Sequence, residues 1–366
     1  MTKISEVIHF LEQIAPPALQ ESYDNAGLLV GDAQQPVTGV LFSLDVIESV
    51  VDEAISKGFN LIVAHHPIIF GGLKRLTGRN YIEKTVIKAI KNDIAIYVAH
   101  TNLDNVAFNG VNTKIGEKLG LENGRVLRTK EKTCKKLYTY VPLSHLDAVR
   151  NSLFAAGAGK IGHYDECGFV TEGLGSFRAG AGANPFLGEV GQRHYEKEAK
   201  LEVIFNSWEE RNIIKALKNA HPYEEIAYEI VALDNHNPYI GSGWIGTLPE
   251  KIDSKDFLPI LKQKMQAAVI KHTTLCKKTI QTVAVCGGSG GFLLNDAIAA
   301  GADIFITSDY KYHEFFDANN RIIIADIGHY ETEQFTIELF FDLICKNFTT
   351  FATAKTSVST NPVFYA

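Results

Sequence analysis

The sequence predicts an α/β domain split in two by an inserted α+β domain of ferredoxin-like type, and three observations carry that expectation. Short continuous apolar runs alternate with amphipathic helical stretches on both flanks of the chain, the pattern of parallel strands covered by helices on both faces. The middle of the chain changes to β-α-β-β-α-β between two polar breaks, the order of a split βαβ domain. Three of the outer apolar runs end in metal-type ligands. They are Asn60-Leu-Ile-Val-Ala-His65-His66, Ile94-Ala-Ile-Tyr-Val-Ala-His100 with Asp104 following, and Arg321-Ile-Ile-Ile-Ala-Asp326-Ile-Gly-His329 with Glu333 following.

Each element has its own signal. Residues 3–14 are apolar at helical spacing and stop at Pro16-Pro17. Tyr23-Asp-Asn-Ala-Gly-Leu-Leu-Val-Gly31 reads as a loop leading to a strand near 38–44. A helix follows over about 46–57, with Gly58 as its C-terminal cap. The strand ending at His65, a helix near 80–91, the strand ending at His100 and a helix near 110–119 complete a β-α-β-α-β unit. That order implies a parallel sheet with right-handed crossovers. The polar stretch 128–136 is the first break. Beyond it come strand 137–142, helix 145–156, strand 162–171, a Gly-rich stretch 173–191, strand 200–206, helix 208–219 and strand 224–233. Asn235–Pro238 and Gly241-Ser-Gly243 form the second break. Alternation then resumes, with strands at 280–286, 304–308 and 321–327 and helices at 291–300 and 330–346. The expected domains are therefore 1–130 plus 239–366, and 131–238. On this reading the last strands join the sheet of the first, so that all three ligand-bearing ends meet on one edge, where ligands of open α/β sheets bind.

Composition narrows the function classes. At 366 residues, two domains are expected, and 46% apolar with 21% charged residues describes an ordinary globular chain. A net charge of −6 without any Lys/Arg run argues on electrostatic grounds against a nucleic-acid partner. The five cysteines are scattered, which fits reduced thiols in a cytosol and excludes a thiolate zinc site. No signal-peptide pattern and no apolar stretch near the roughly 20 residues of a membrane span is present. A cytoplasmic protein is the expectation.

Chemistry concentrates at a few positions. On a regular strand His65 and His66 point to opposite faces, but at a strand end they can diverge toward two ions, and Pro67 keeps His66 extended. His100 and Asp104 share a face if a helical turn follows the strand; the plainer alternative is an Asx turn. His329 and Glu333 have the same spacing, and Glu331 and Glu333 also suit a helix N-terminus. Imidazole with carboxylate suits Zn, Fe or Mn better than Ca. Cys286-Gly-Gly-Ser-Gly-Gly291 follows a strand and opens a helix, so Gly288, Ser289 and Gly290 can contact substrate through their amides. The same stretch matches a nucleophile elbow at Ser289, with Asp309 and His329 downstream. Ser308-Asp-Tyr-Lys-Tyr-His313 brings Asp309 and Lys311 as substrate contacts and His313 as an acid/base or supporting group. His221-Pro-Tyr-Glu-Glu225 reads as a tight turn in the insert.

Taken in order, Tyr23-Asp-Asn-Ala-Gly-Leu, Ala64-His-His-Pro, His100-Thr-Asn-Leu-Asp, Cys286-Gly-Gly-Ser-Gly, Thr307-Ser-Asp-Tyr-Lys-Tyr-His and Asp326-Ile-Gly-His-Tyr-Glu-Thr-Glu resemble one family. It is the GTP cyclohydrolase I type 2 homologue family, or Nif-three-like dinuclear-metal proteins, and the resemblance spans nearly the whole chain. It implies a toroidal homohexamer with two divalent metals per subunit, and an inserted domain resembling PII or CutA. By motif, the implied metal ligands are His65, His66, Asp104, His329 and Glu333, with His100 and His313 left to move protons. Tyr23 stands where the family commonly has Trp, and Ser308 where Gly is usual; neither is a ligand, so these departures concern the substrate pocket. The implied activity is hydrolytic, a metal-activated water attacking a nucleotide ring or a phosphoester. Two other readings stay open: a metal-loaded, non-catalytic scaffold that senses a ligand, and a serine hydrolase using Ser289.

Overall fold

The computed structural model describes residues 1–366, and the chain divides into two units, Met1–Thr129 with Pro238–Ala366, and Lys130–Asn237.

The first half of the outer unit runs α1 (Ile4–Ile14), β1 (Gly27–Val30), β2 (Gly39–Ser43), α2 (Glu48–Lys57), β3 (Leu61–Ala64), α3 (Tyr81–Lys91), β4 (Ala95–Val98), α4 (Thr101–Asp104), α5 (Val111–Leu119) and β5 (Glu122–Thr129). The inserted unit holds β6 (Cys134–Pro142), α6 (Leu146–Ala155), β7 (Gly168–Arg178), β8 (Arg193–Asn206), α7 (Glu210–Ala220) and β9 (Tyr228–Leu233). The chain then returns as β10 (Gly241–Asp253), α8 (Ser254–Lys264), β11 (Lys271–His272), β12 (Thr279–Ser289), α9 (Leu294–Ala299), β13 (Ile304–Ser308), β14 (Ile323–Asp326), α10 (His329–Glu333), α11 (Thr336–Asn347) and β15 (Ala352–Lys355).

The outer unit contains two sheets. Strands β2, β3 and β4 are parallel and buried at every residue, which is why their sequences are apolar throughout rather than alternating. Leu41, Ile62 and Ile96 face Val50, Val51 and Ala54 of α2 and Val86 and Ala89 of α3. On the opposite face of β2, the Phe42 ring meets Phe341 of α11 edge-on at 6.0 Å. The full order is β1-β4-β3-β2-β15. Around the parallel trio β12-β13-β14 a second sheet forms, in the order β11-β14-β13-β12-β10-β5.

The expectation of one sheet edge is therefore wrong. His329 follows β14, which lies between β13 and β11, whereas β3 and β4 belong to the other sheet. Three strands absent from the sequence reading account for the separation. Strands β5 and β10 pair antiparallel with each other and β10 pairs with β12, which seeds a second sheet. Strand β15 takes the place beside β2 where a returning strand would otherwise dock. His329 nonetheless meets His66, because the strand ends of the two sheets face one another. Other differences are smaller. β1 forms within the expected loop, β7 runs into the expected Gly-rich stretch and β8 starts at Arg193, ahead of the expected strand at 200–206, because backbone pairing from Gly168↔Val203 to Arg178↔Arg193 stabilises a hairpin that its side chains do not announce.

In the inserted unit the order is β7-β8-β6-β9 and every pairing is antiparallel. Its core joins Leu137 and Val141 to Val149 and Leu153 of α6 and Ile213 and Leu217 of α7. The 221–225 stretch is a turn: Tyr223 N–H donates to His221 Nδ1 at 3.1 Å, and His221 Nε2–H donates to the Tyr140 carbonyl at 3.0 Å.

Candidate metal centre

Four histidines from the two sheets converge, and each has its Nδ1 held by an oxygen. His65 Nδ1 lies 2.9 Å from the Ala99 carbonyl, His66 Nδ1 2.8 Å from Asp45 Oδ1, His100 Nδ1 2.7 Å from Asp24 Oδ1, and His329 Nδ1 2.6 Å from Asp309 Oδ2. Such partners fix each ring, and the Nε2 atoms of His65, His66 and His329 face the carboxylates of the cluster. Local structure explains why the ligands can converge. His65 and His66 follow β3, where both backbone amides donate to the Leu44 carbonyl as the chain leaves the strand. Asp104 closes the short helix α4, and Glu333 closes α10, so each carboxylate lies one turn after a histidine.

Glu333 is buried and divides its carboxylate. Oε1 lies 3.7 Å from His65 Nε2, while Oε2 lies 2.8 Å from His66 Nε2 and 3.1 Å from His329 Nε2. Asp104 Oδ1 lies 3.6 Å from His65 Nε2. The centre thus falls into two overlapping ligand groups, His65–Asp104–Glu333 and His66–His329–Glu333, with a third group formed by His65, His66 and His100.

The residues fit divalent cations. His65 Nε2 and Asp104 Oδ1 are buried and have no hydrogen-bond partner, a cost of about 1–3 kcal/mol per atom unless something binds there. Backbone shape agrees: Gly288 sits at φ +59°, and a Cβ there would lie 2.5 Å from Glu333 Oε1 and 3.2 Å from His329 Cε1. Without a metal, protons hold the cluster together. Burial opposes a charge on His66, but hydrogen bonds to Asp45 and Glu333 outweigh it and raise its pKa to about 9. Burial is likewise outweighed at His329 by Asp309 and Glu333, which raise it to about 11. Burial and then the Glu333 charge push Asp104 up to about 8. Glu333 itself is held well below the usual carboxylate range despite burial, chiefly by His329 and His65.

A cavity of about 1280 Å³ opens onto this cluster, with Arg128, Lys271, Phe292, Tyr23 and Tyr365 among its walls. Gly288, Ser289 and Asp309 line it. The Gly loop's amides are not free for an anion, however: Gly287 N–H donates to Asn112 Oδ1, Gly288 N–H to Thr332 Oγ1 and Gly290 N–H to Thr307 Oγ1, each at 2.9 Å. Ser289 is exposed, and both nitrogens of His329 face carboxylates, so that ring is not poised as a base for its hydroxyl. Gly290, Lys311 and His313 lie outside the cavity lining. The Lys311 ammonium extends into solvent 3.9 Å from Glu314, and the His313 ring packs against Tyr312 and Phe316. Sequence reading missed Asp24 and Asp45. Asp45 had the same signature as the histidines, an apolar run (Gly39–Ser43) ending in a ligand-type side chain two residues on.

Known proteins share this sequence and fold. The Duf34/NIF3 (NGG1p interacting factor 3) family model matches residues 2–362. The chain belongs to that family. A Bacillus subtilis member named GTP cyclohydrolase 1 type 2 homolog is 39% identical over 327 residues, covering 89% of this chain and 87% of its own. Among solved structures, a Bacillus cereus protein related to NIF3 is 37% identical with a TM-score of 0.85, covering 100% of this chain and 99% of its own. Staphylococcus aureus SA1388 is 28% identical with a TM-score of 0.78, again over 100% and 99% of the two chains. No helix of this family member is long and apolar enough to cross a membrane.

Proposed function

We propose that this protein is a dinuclear divalent-metal hydrolase, one ion held by His65, Asp104 and Glu333 and the other by His66, His329 and Glu333. One observation carries the reading: three histidines with Nδ1 fixed by oxygen, His65, His66 and His329, surround a carboxylate that offers one oxygen to each ligand group, and His100 stands beside His65 and His66. Zn, Fe and Mn all suit such a mixture of imidazole and carboxylate. When bound, two such ions supply Lewis acidity and a water acidic enough to attack an electrophilic carbon or phosphorus at neutral pH. The chain's own residues do the remaining work. Asp45 and Asp309 hold the rings of His66 and His329 in place, and the Asp24 carboxylate holds His100. His100 shares a ligand-distance group with His65 and His66, and its free Nε2 can take or return a proton. The name carried by the relatives makes a nucleotide ring the first substrate class to test, with phosphoesters beside it. Purified protein should carry two metal equivalents and hydrolyse a member of that panel, with activity lost on chelation and restored by added metal. Undiminished turnover in fully metal-free protein would overturn the assignment. Two bound equivalents with no turnover across the panel would favour the non-catalytic scaffold.

The family resemblance further supports a cytoplasmic, ring-shaped homohexamer and a ferredoxin-like insert of the PII/CutA kind. We read the insert as a separate domain. Every residue named at the metal centre lies in the outer unit, so replacing 131–238 by a short Gly/Ser linker should leave both metal equivalents bound. Light scattering should return about six chain masses for the full-length protein. Metal loss from a folded deletion protein would make the insert part of the site, and a monomeric full-length chain would remove the hexamer.

A further inference from the structure

The stretch after β15 has no regular secondary structure, yet it is fastened at four points and ends in the cavity. Thr356 N–H continues the pairing with β2 through the Phe42 carbonyl at 2.9 Å. Glu53 of α2 then accepts bonds from the Thr356 hydroxyl at 2.5 Å, the Ser357 amide at 3.1 Å and the Ser357 hydroxyl at 3.0 Å. Four residues on, the Thr360 hydroxyl, itself buried, donates to Asp45 Oδ2 at 2.7 Å. Asn361 Nδ2 donates to Glu331 Oε1 at 3.3 Å. Thr360, Asn361, Pro362, Val363 and Tyr365 all line the cavity that opens onto the metal centre.

The Thr360 bond is the informative one, because Asp45 uses its other oxygen on the centre: Oδ1 lies 2.8 Å from His66 Nδ1. A single carboxylate therefore connects the strap to a ring whose Nε2 lies 2.8 Å from Glu333 and 3.3 Å from His329. A carboxylate anchored at one oxygen only can rotate about its Cβ–Cγ bond, and the bond from Thr360 removes that freedom. No corresponding contact reaches the other ligand group. His65 is oriented by the Ala99 carbonyl, a backbone atom fixed at the end of β4.

We propose that residues 356–365 form a strap that builds one half of the metal centre, with Thr360 as a positioning residue that sets His66 through Asp45. The inference rests on the dinuclear reading above and adds an asymmetry to it. The His66–His329–Glu333 group depends on the strap, and the His65–Asp104–Glu333 group does not. Chain that is remote in sequence thus holds a ligand and also walls the space in which a substrate would sit.

The test is stepwise titration of metal-stripped, full-length protein with Co²⁺, read by its visible absorption and by competition with a chromophoric chelator. Thr360→Val, which keeps the shape and removes the donor, should weaken one of the two equivalents by about 10–100-fold, the range for outer partners of metal ligands, and leave the other unchanged. Thr360→Ser, which restores the donor, should recover the wild-type titration. In an Asp45→Asn background, Thr360→Val should add little, since coupled groups are non-additive. Equal weakening of both equivalents would overturn the asymmetry. Unchanged binding in Thr360→Val, or damage by Thr360→Ser as large as by Val, would overturn the positioning role. If Thr360→Val does not fold, the comparison of Thr360→Ser with Asp45→Asn decides: a wild-type titration in Asp45→Asn would overturn the relay. Wild-type protein that binds no Co²⁺ would instead defeat the dinuclear reading itself.

Discussion

Glu333→Gln should release both metal ions together, whereas replacing any other ligand should release one. The reason is the divided carboxylate: Oε1 serves the His65 and Asp104 side and Oε2 serves the His66 and His329 side. An amide keeps the size but offers only one acceptor oxygen, and its NH₂ would point a donor at one of the two ion positions. Losing a ligand itself should cost more than the roughly 10–100-fold lost when an outer partner is removed. His329→Gln leaves the His65–Asp104–Glu333 group whole and should retain one equivalent. Elemental analysis after dialysis against weak chelator separates the cases, with circular dichroism as the check on folding. Two full equivalents in Glu333→Gln would rule out the bridging role.

Much of this centre was legible in the chain because the ligands follow buried parallel strands, whose continuous apolar sequence is unmistakable. Val63-Ala64-His65 and Val98-Ala99-His100 carry the end of the run and the ligand side by side. What was not legible was which sheet each strand joins. Strand β15, Ala352-Thr-Ala-Lys355, is short, polar and on an edge; backbone pairing rather than side-chain pattern creates it. Strand β5 is likewise exposed along its first four residues and merges with the polar break that follows. Both sheets therefore looked like one. The partners of the histidines were hidden for a different reason. The Ala99 carbonyl carries no side-chain signal, and Thr360 reaches Asp45 across 315 positions of sequence. The Gly-rich loop misled in the opposite direction: its glycines suggest free amides, but Asn112, Thr332 and Thr307 consume them, and steric clearance for Glu333 explains Gly288.

Metal-stripped and metal-loaded protein should respond to pH with opposite slopes. In the stripped protein His66 is held near pKa 9 against an ordinary 6.5. A base raised on folding contributes stability that is complete below the unfolded value and is lost as pH rises through the folded one. His329, raised to about 11, acts in the same sense, damped by solvent because its side chain is 41% exposed. Asp104, pushed up to about 8 from an ordinary 3.8, keeps a proton in the fold that the unfolded chain has already lost, so it adds to the loss as pH rises toward 8 and is flat above it. Glu333 is held low, so its contribution is already complete well below neutral pH and is flat across this window. The rise at His66 alone corresponds to roughly 3 kcal/mol at 1.36 kcal/mol per unit, a large part of an ordinary domain's 5–15 kcal/mol. In the loaded protein the same protons compete with metal, so affinity, and the stability that ligand binding confers, rises with pH. Between pH 6.5 and 9 the urea midpoint should therefore fall with pH in the presence of EDTA and rise in the presence of sub-saturating Mn²⁺. A chelated protein whose midpoint is flat or climbs over that interval would mean that His66 and His329 do not hold the protons that the metals displace.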